Sequence, residues 1–142
     1  MGTKIAAVAY LLWGIIHVAG GALMFTASLS GPQEFVQVQT GDSELTFTGP
    51  EEARSRTTAE GVFAFHSFNI IWIGVLCSII AVRMNWKGSG FWLNVALVGC
   101  TDLGLILFIV GRGILPLSSA WPGPLLFVVA LLCSAIGARR TV

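Results

Sequence analysis

The sequence predicts an all-α membrane protein, a four-transmembrane-helix bundle with a small extracytoplasmic β-hairpin between helices 1 and 2. Three observations carry that expectation. Hydrophobic residues make up 55% of the 142-residue chain and charged residues only 11%, less than half the roughly one quarter usual in soluble domains. The apolar residues gather into four runs, at 5–26, 61–82, 90–110 and 121–138, each near the ~20 residues that carry a helix across about 30 Å of hydrocarbon. The one long polar stretch, 28–60, holds six of the seven acidic residues.

The first run follows Met1-Gly2-Thr3-Lys4. It exceeds the roughly 7 to 15 apolar residues of a secretory signal core, so we expect a true span. Lipid offers no partners to backbone N–H and C=O groups, so each run is expected to be helical. This includes Phe68-Asn69-Ile70-Ile71-Trp72-Ile73, although β-branched residues favour strands elsewhere.

Within the polar stretch, Phe35-Val36-Gln37-Val38-Gln39 alternates apolar with polar, Gly41-Asp42 is turn chemistry, and Leu45-Thr46-Phe47-Thr48 alternates again. That pattern predicts a hairpin with one apolar face, capping the bundle from outside through Phe35, Leu45 and Phe47. Residues 85–89 are expected to form a tight inner turn and 113–120 a compact outer one. Pro122 and Pro124 stand where the fourth helix begins, a position where a missing N–H costs nothing.

Four spans with a hairpin after the first resemble the claudin layout in topology only. The Trp, Gly-Leu-Trp and paired-cysteine signature of that family's first external loop is absent. No membership follows.

An even number of spans puts both termini on one side. Lys4, Arg83, Lys87, Arg139 and Arg140 share that side, against Arg54, Arg56 and Arg112 on the other. Short-loop Lys and Arg favour the cytoplasm. The expectation is a plasma-type inner membrane with both termini cytoplasmic.

A formal net charge of +1 leaves no basic patch able to neutralise several phosphates, which excludes nucleic acid as a partner. Cys77, Cys100 and Cys133 all lie in apolar runs without CxxC spacing, so a disulfide framework or a zinc cluster is not expected. GxSxG, Walker and HExxH signatures are absent too.

What remains is a set of polar residues inside the spans, where each must face a partner or a wet cavity. Four stand out: His17, His66, Asn69 and Asp102. Helical spacing puts His17 on a stripe with Tyr10, Gly14, Gly21 and Met24, and puts His66 and Asn69 on a face with Val62, Ile73 and Cys77. Asp102 shares a face with Asn94, Val98, Leu105 and Ile109. At about 1.5 Å of rise per residue, His17, Asn69 and Asp102 are expected at similar depth, with His66 one turn nearer the outside.

Two readings of this cluster are open. In one, Asp102 and a histidine form a buried pair that fixes helix register, with Asn69 as interhelical glue. In the other, the four residues line a pocket between helices 1–3 that binds a small apolar or amphipathic ligand or a cofactor. There, His17 and His66 would be the ligands if a haem or a divalent metal is held, and Asp102 would orient an imidazole or move a proton. Whether chemistry follows binding is open. The expected partners are the lipid bilayer, a small hydrophobic ligand, and a second copy of the chain or a larger membrane complex. In the last case the protein would be a noncatalytic accessory subunit.

Overall fold

A computed structural model describes residues 2–47, 53–115 and 120–138, with residues 53, 54 and 138 described by backbone alone. The order of elements is α1 (Gly2–Ser30), α2 (Pro32–Thr40), α3 (Ala53–Arg83), a 3-10 turn (Asn85–Lys87), α4 (Phe91–Gly104), which continues as a π-helical segment (Leu105–Val110), and α5 (Pro122–Ala138). The protein is all-helical among the described residues.

Three helical stretches, Gly2–Ser30, Ser55–Lys87 and Phe91–Val110, are long and apolar enough to cross a membrane. At most 28% of the residues in the apolar window of each are buried. In water such helices would expose large apolar surfaces; in lipid that exposure costs nothing. The chain therefore has the make-up of an integral membrane protein. The expected four-span bundle is reduced to three spans by this measure, because α5 has 17 residues and reaches only about 26 Å at 1.5 Å per residue.

The β-hairpin expected over 35–48 is corrected. Residues Pro32–Thr40 form α2, and no strand occurs among the described residues; Thr48 lies outside them. Pro32 opens the helix, where its missing N–H goes unneeded, and Glu34 sits in the first turn. Gly41, read as a hairpin turn, is the left-handed residue that ends α2: its φ is 70° and its N–H bonds the Gln37 carbonyl at 2.9 Å. The would-be second strand takes its hydrogen bonds from side chains. Gln33 donates to the Leu45 carbonyl at 2.6 Å and accepts from the Phe47 N–H, while Gln37 donates to the Ser43 carbonyl at 2.7 Å.

The polar stretch 28–60 is thus mostly helix. α1 runs on to Ser30, and α3 begins by Ala53 with an exposed Arg56–Glu60 pair at 3.3 Å in its early turns. Such an exposed pair contributes little.

The chain divides into two compact units, residues 1–16 with 73–142 and residues 17–72. The core of the first holds Ala9, Tyr10, Trp13, Cys77, Ala81, Val98 and Ala130, with Phe91, Val95, Leu126 and Phe127 packed against it. Here α1 meets α3 at Gly14. A Cβ at that position would collide with the Ser78 hydroxyl and lie 2.6 Å from the Gly74 carbonyl oxygen. Glycine is what lets these backbones approach.

The second unit has an aromatic anchor. Phe35 of α2, 2% exposed, stacks on Phe63 of α3 with ring centroids 4.3 Å apart, and Phe47 meets the same ring edge-on at 6.2 Å. A further close approach occurs at Gly21 of α1, where an added Cβ would lie 2.9 Å from the Ile71 backbone nitrogen.

Candidate functional site

In the first unit, helical spacing puts Tyr10 and Trp13 on one face of α1, and Asn94, Val98 and Asp102 on one face of α4. All five are buried. The Trp13 indole N–H donates to Oδ1 of Asp102 at 3.2 Å. The sequence reading did not name this indole as a donor to the carboxylate. Oδ2 of Asp102, also buried, has no hydrogen-bond partner among the described residues.

Most of the other polar groups nearby have partners, the buried side-chain oxygen of Asn94 being one that has none among the described residues. The Cys77 thiol donates to the Tyr10 carbonyl at 3.3 Å. The Ser134 hydroxyl of α5 donates to the Ala130 carbonyl at 2.7 Å. Nearer the start of α4, the Asn94 amide donates to the Asn85 side-chain oxygen at 2.7 Å and to the Cys77 carbonyl at 3.3 Å. Asn85 in turn donates to the Ser89 carbonyl at 3.0 Å. Fully buried asparagines thus tie the turn at 85–89 to α3 and α4, a structural role absent from the sequence reading.

Three residues beyond Asp102 the helix widens. Gly111 N–H bonds the Ile106 carbonyl at 2.8 Å and Ile114 N–H bonds that of Ile109 at 3.0 Å, both five residues back. Segments of this kind recur at functional sites because the extra residue loosens the local ladder. The run Leu-Ile-Leu-Phe-Ile-Val gives no sequence signal for it.

His17, His66 and Asn69 belong to the second unit and Asp102 to the first. All three of the former are half-buried. Among the described residues, no group of three or more His, Cys, Asp and Glu side chains is placed to hold a metal ion. Among the described residues, a metal held by His17 and His66 would therefore lack the third protein ligand that a tight site requires.

The second unit also carries a groove of about 600 Å³ between the end of α1 and α2. Leu23, Ala27 and Val38 give it apolar walls, and Thr26, Ser30, Glu34, Gln37 and Ser43 give it polar ones. Sequence reasoning missed it because the hairpin reading removed the helix that forms one wall. The signal was present in Pro32 and in the Glu34 that follows it, a helix opening rather than a strand.

The chain matches no known family model, and no curated protein or solved structure matches it.

Proposed function

We propose that this chain is a small four-span protein of a plasma-type inner membrane, with both termini cytoplasmic, that binds a small apolar or amphipathic molecule. The single observation that carries this reading is the groove of about 600 Å³ between α1 and α2, within the roughly 300–1,000 Å³ typical of small-molecule sites. Its two kinds of wall match the two ends of an amphipathic ligand. Leu23, Ala27 and Val38 take the apolar part, and Glu34, Gln37 and Ser43 take the polar end.

His17, His66 and Asn69 lie in the same unit, at positions whose polarity has a cost in hydrocarbon unless it is used. The fourth crossing is α5. It is 17 apolar residues long, and a bilayer thins locally around a short span at a modest cost.

A larger membrane complex is the second reading. An apolar groove of about 620 Å³ along α3 and α4, lined by Ile73, Leu76, Leu93, Ala96, Leu97 and Cys100, suits another helix as well as a lipid chain. Native mass spectrometry from mild detergent separates the two. Ligand binding predicts a small adduct on the monomer that is lost in Val38→Trp, which fills the groove from a partly exposed position. An adduct retained unchanged in that variant, or a protein recovered only with a second chain, contradicts it.

A further inference from the structure

We propose that the groove between the end of α1 and α2 selects an amphiphile with a cationic head, a protonated alkylamine whose nitrogen is held by Glu34. The inference rests on the reading of that groove as a binding site and names the class of molecule it takes. Among the described residues, Glu34 is the one charged side chain that lines the groove. It is exposed, so its carboxylate is open to a guest.

The chain that forms the groove carries one sign of charge. Residues 5–53 contain no Lys or Arg, while Glu34, Asp42 and Glu44 all fall within 34–44. Arg56 reaches this region, since a Cβ on Gly31 would stand 3.5 Å from its guanidinium. That guanidinium is paired with Glu60 at 3.3 Å. The first turn of α2 would otherwise attract an anion, but Glu34 already stands there. A second anion would meet its carboxylate.

The hydrogen-bond inventory points the same way. The Thr26 hydroxyl donates to the Leu23 carbonyl at 2.8 Å, and the Gln37 amide donates to the carbonyls of Ser43 at 2.7 Å and Leu45 at 3.3 Å. The side-chain donors of these two lining residues are therefore committed, and what they offer a guest is oxygen. The hydroxyls of Ser30 and Ser43 act either way. A carboxylate and a carboxamide oxygen only accept, so the head that fits them donates. An ammonium has that chemistry, with N–H donors and a positive charge. An alkyl chain on Leu23, Ala27 and Val38 supplies apolar burial. The exposed carboxylate, weak by itself, then selects among heads.

Isothermal titration of the full chain in a neutral maltoside detergent with octylammonium, octanol and octanoate separates head from chain. Octylammonium should bind about fivefold tighter than octanol, near the upper limit for one exposed ion pair, and octanoate should bind more weakly than both. Glu34→Gln should bring octylammonium to within about twofold of octanol by removing that pair. Glu44→Gln, outside the lining, should leave the order as it is. Octanol binding that is lost in Val38→Trp, with octylammonium no tighter than octanol, overturns the selectivity and leaves the groove reading standing. So does an equal loss of preference in Glu34→Gln and Glu44→Gln. No saturable binding of any of the three overturns the groove reading, and this inference with it.

Discussion

The indole N–H of Trp13 on α1 donates to the carboxylate of Asp102 on α4 across 3.2 Å, joining residues 89 positions apart in the chain. In a core with few polar groups, this bond fixes the rotation of α1 against α4. Leu, Val and Ala contacts tolerate sliding, whereas an anion with one donor does not.

Trp13→Phe keeps the aromatic bulk and removes the donor. The expected loss is about 1–3 kcal/mol of unfolding free energy, the range for stranding a buried hydrogen-bonding partner. Asp102→Asn in the same background should recover part of that loss, since an amide left without its donor is less costly than a carboxylate. Equilibrium unfolding in mixed micelles measures the unmodified protein, each single variant and the double variant. Losses that simply add in the double variant contradict a direct bond, for which a coupling of about 0.5–3 kcal/mol is expected.

Glycines on α1 separate into those that contact and those that do not. Gly14→Ala places a methyl group against the Gly74 carbonyl and the Ser78 side chain, and should cost about 1–3 kcal/mol because backbone cannot yield as a side chain can. Gly20→Ala meets nothing within 4 Å and should be neutral, or stabilising by up to about 1 kcal/mol through helix propensity. Thermal unfolding of the two variants side by side gives the order. Equal effects would mean that α1 does not cross α3 at Gly14.

Phe63→Ala removes the ring on which Phe35 stacks and Phe47 rests. Phe63 is half-buried, so the loss should be about 1.5–3 kcal/mol, the value for uncovering one such side chain. It should appear locally, as faster amide exchange over Pro32–Thr40 while Val95 and Val98 keep their protection. Uniform acceleration in both regions would show that α2 is not held by this contact.

Long, uniform features were legible in the sequence, and short, mixed ones were not. The membrane character and three long apolar helices follow from runs of hydrophobic residues, because in lipid nothing competes with the helix for backbone hydrogen bonds. The faces of α1 and α4 could likewise be read from spacing, and Gly14, Asn94 and Asp102 lie buried. The segment around Phe35 misled because nine residues cannot display a helical period clearly. Only Pro32 and Phe35 are buried in α2, so the alternation of Val and Gln carried no packing information. Glycine at 41 serves a hairpin turn and a helix end equally well.

For Asp102, spacing identified a carboxylate in need of a donor but could not choose the donor. Histidine was the chemically prominent candidate. Trp13 also carries an N–H, on a longer reach, and an aromatic in an apolar run does not announce that use. The joint placement of His17, His66, Asn69 and Asp102 depends on helix rotations that spacing leaves free.

The membrane topology is the claim on which the functional reading depends, since it puts the α1–α2 groove on the outer side. Impermeant thiol labelling of right-side-out and inverted membrane vesicles tests it with two variants, Asp42→Cys beside the groove and Ser89→Cys on the inner turn, both at exposed positions. The account predicts that Asp42→Cys reacts only from outside and Ser89→Cys only from the cytoplasmic side. Reaction of both variants from the same side would contradict it.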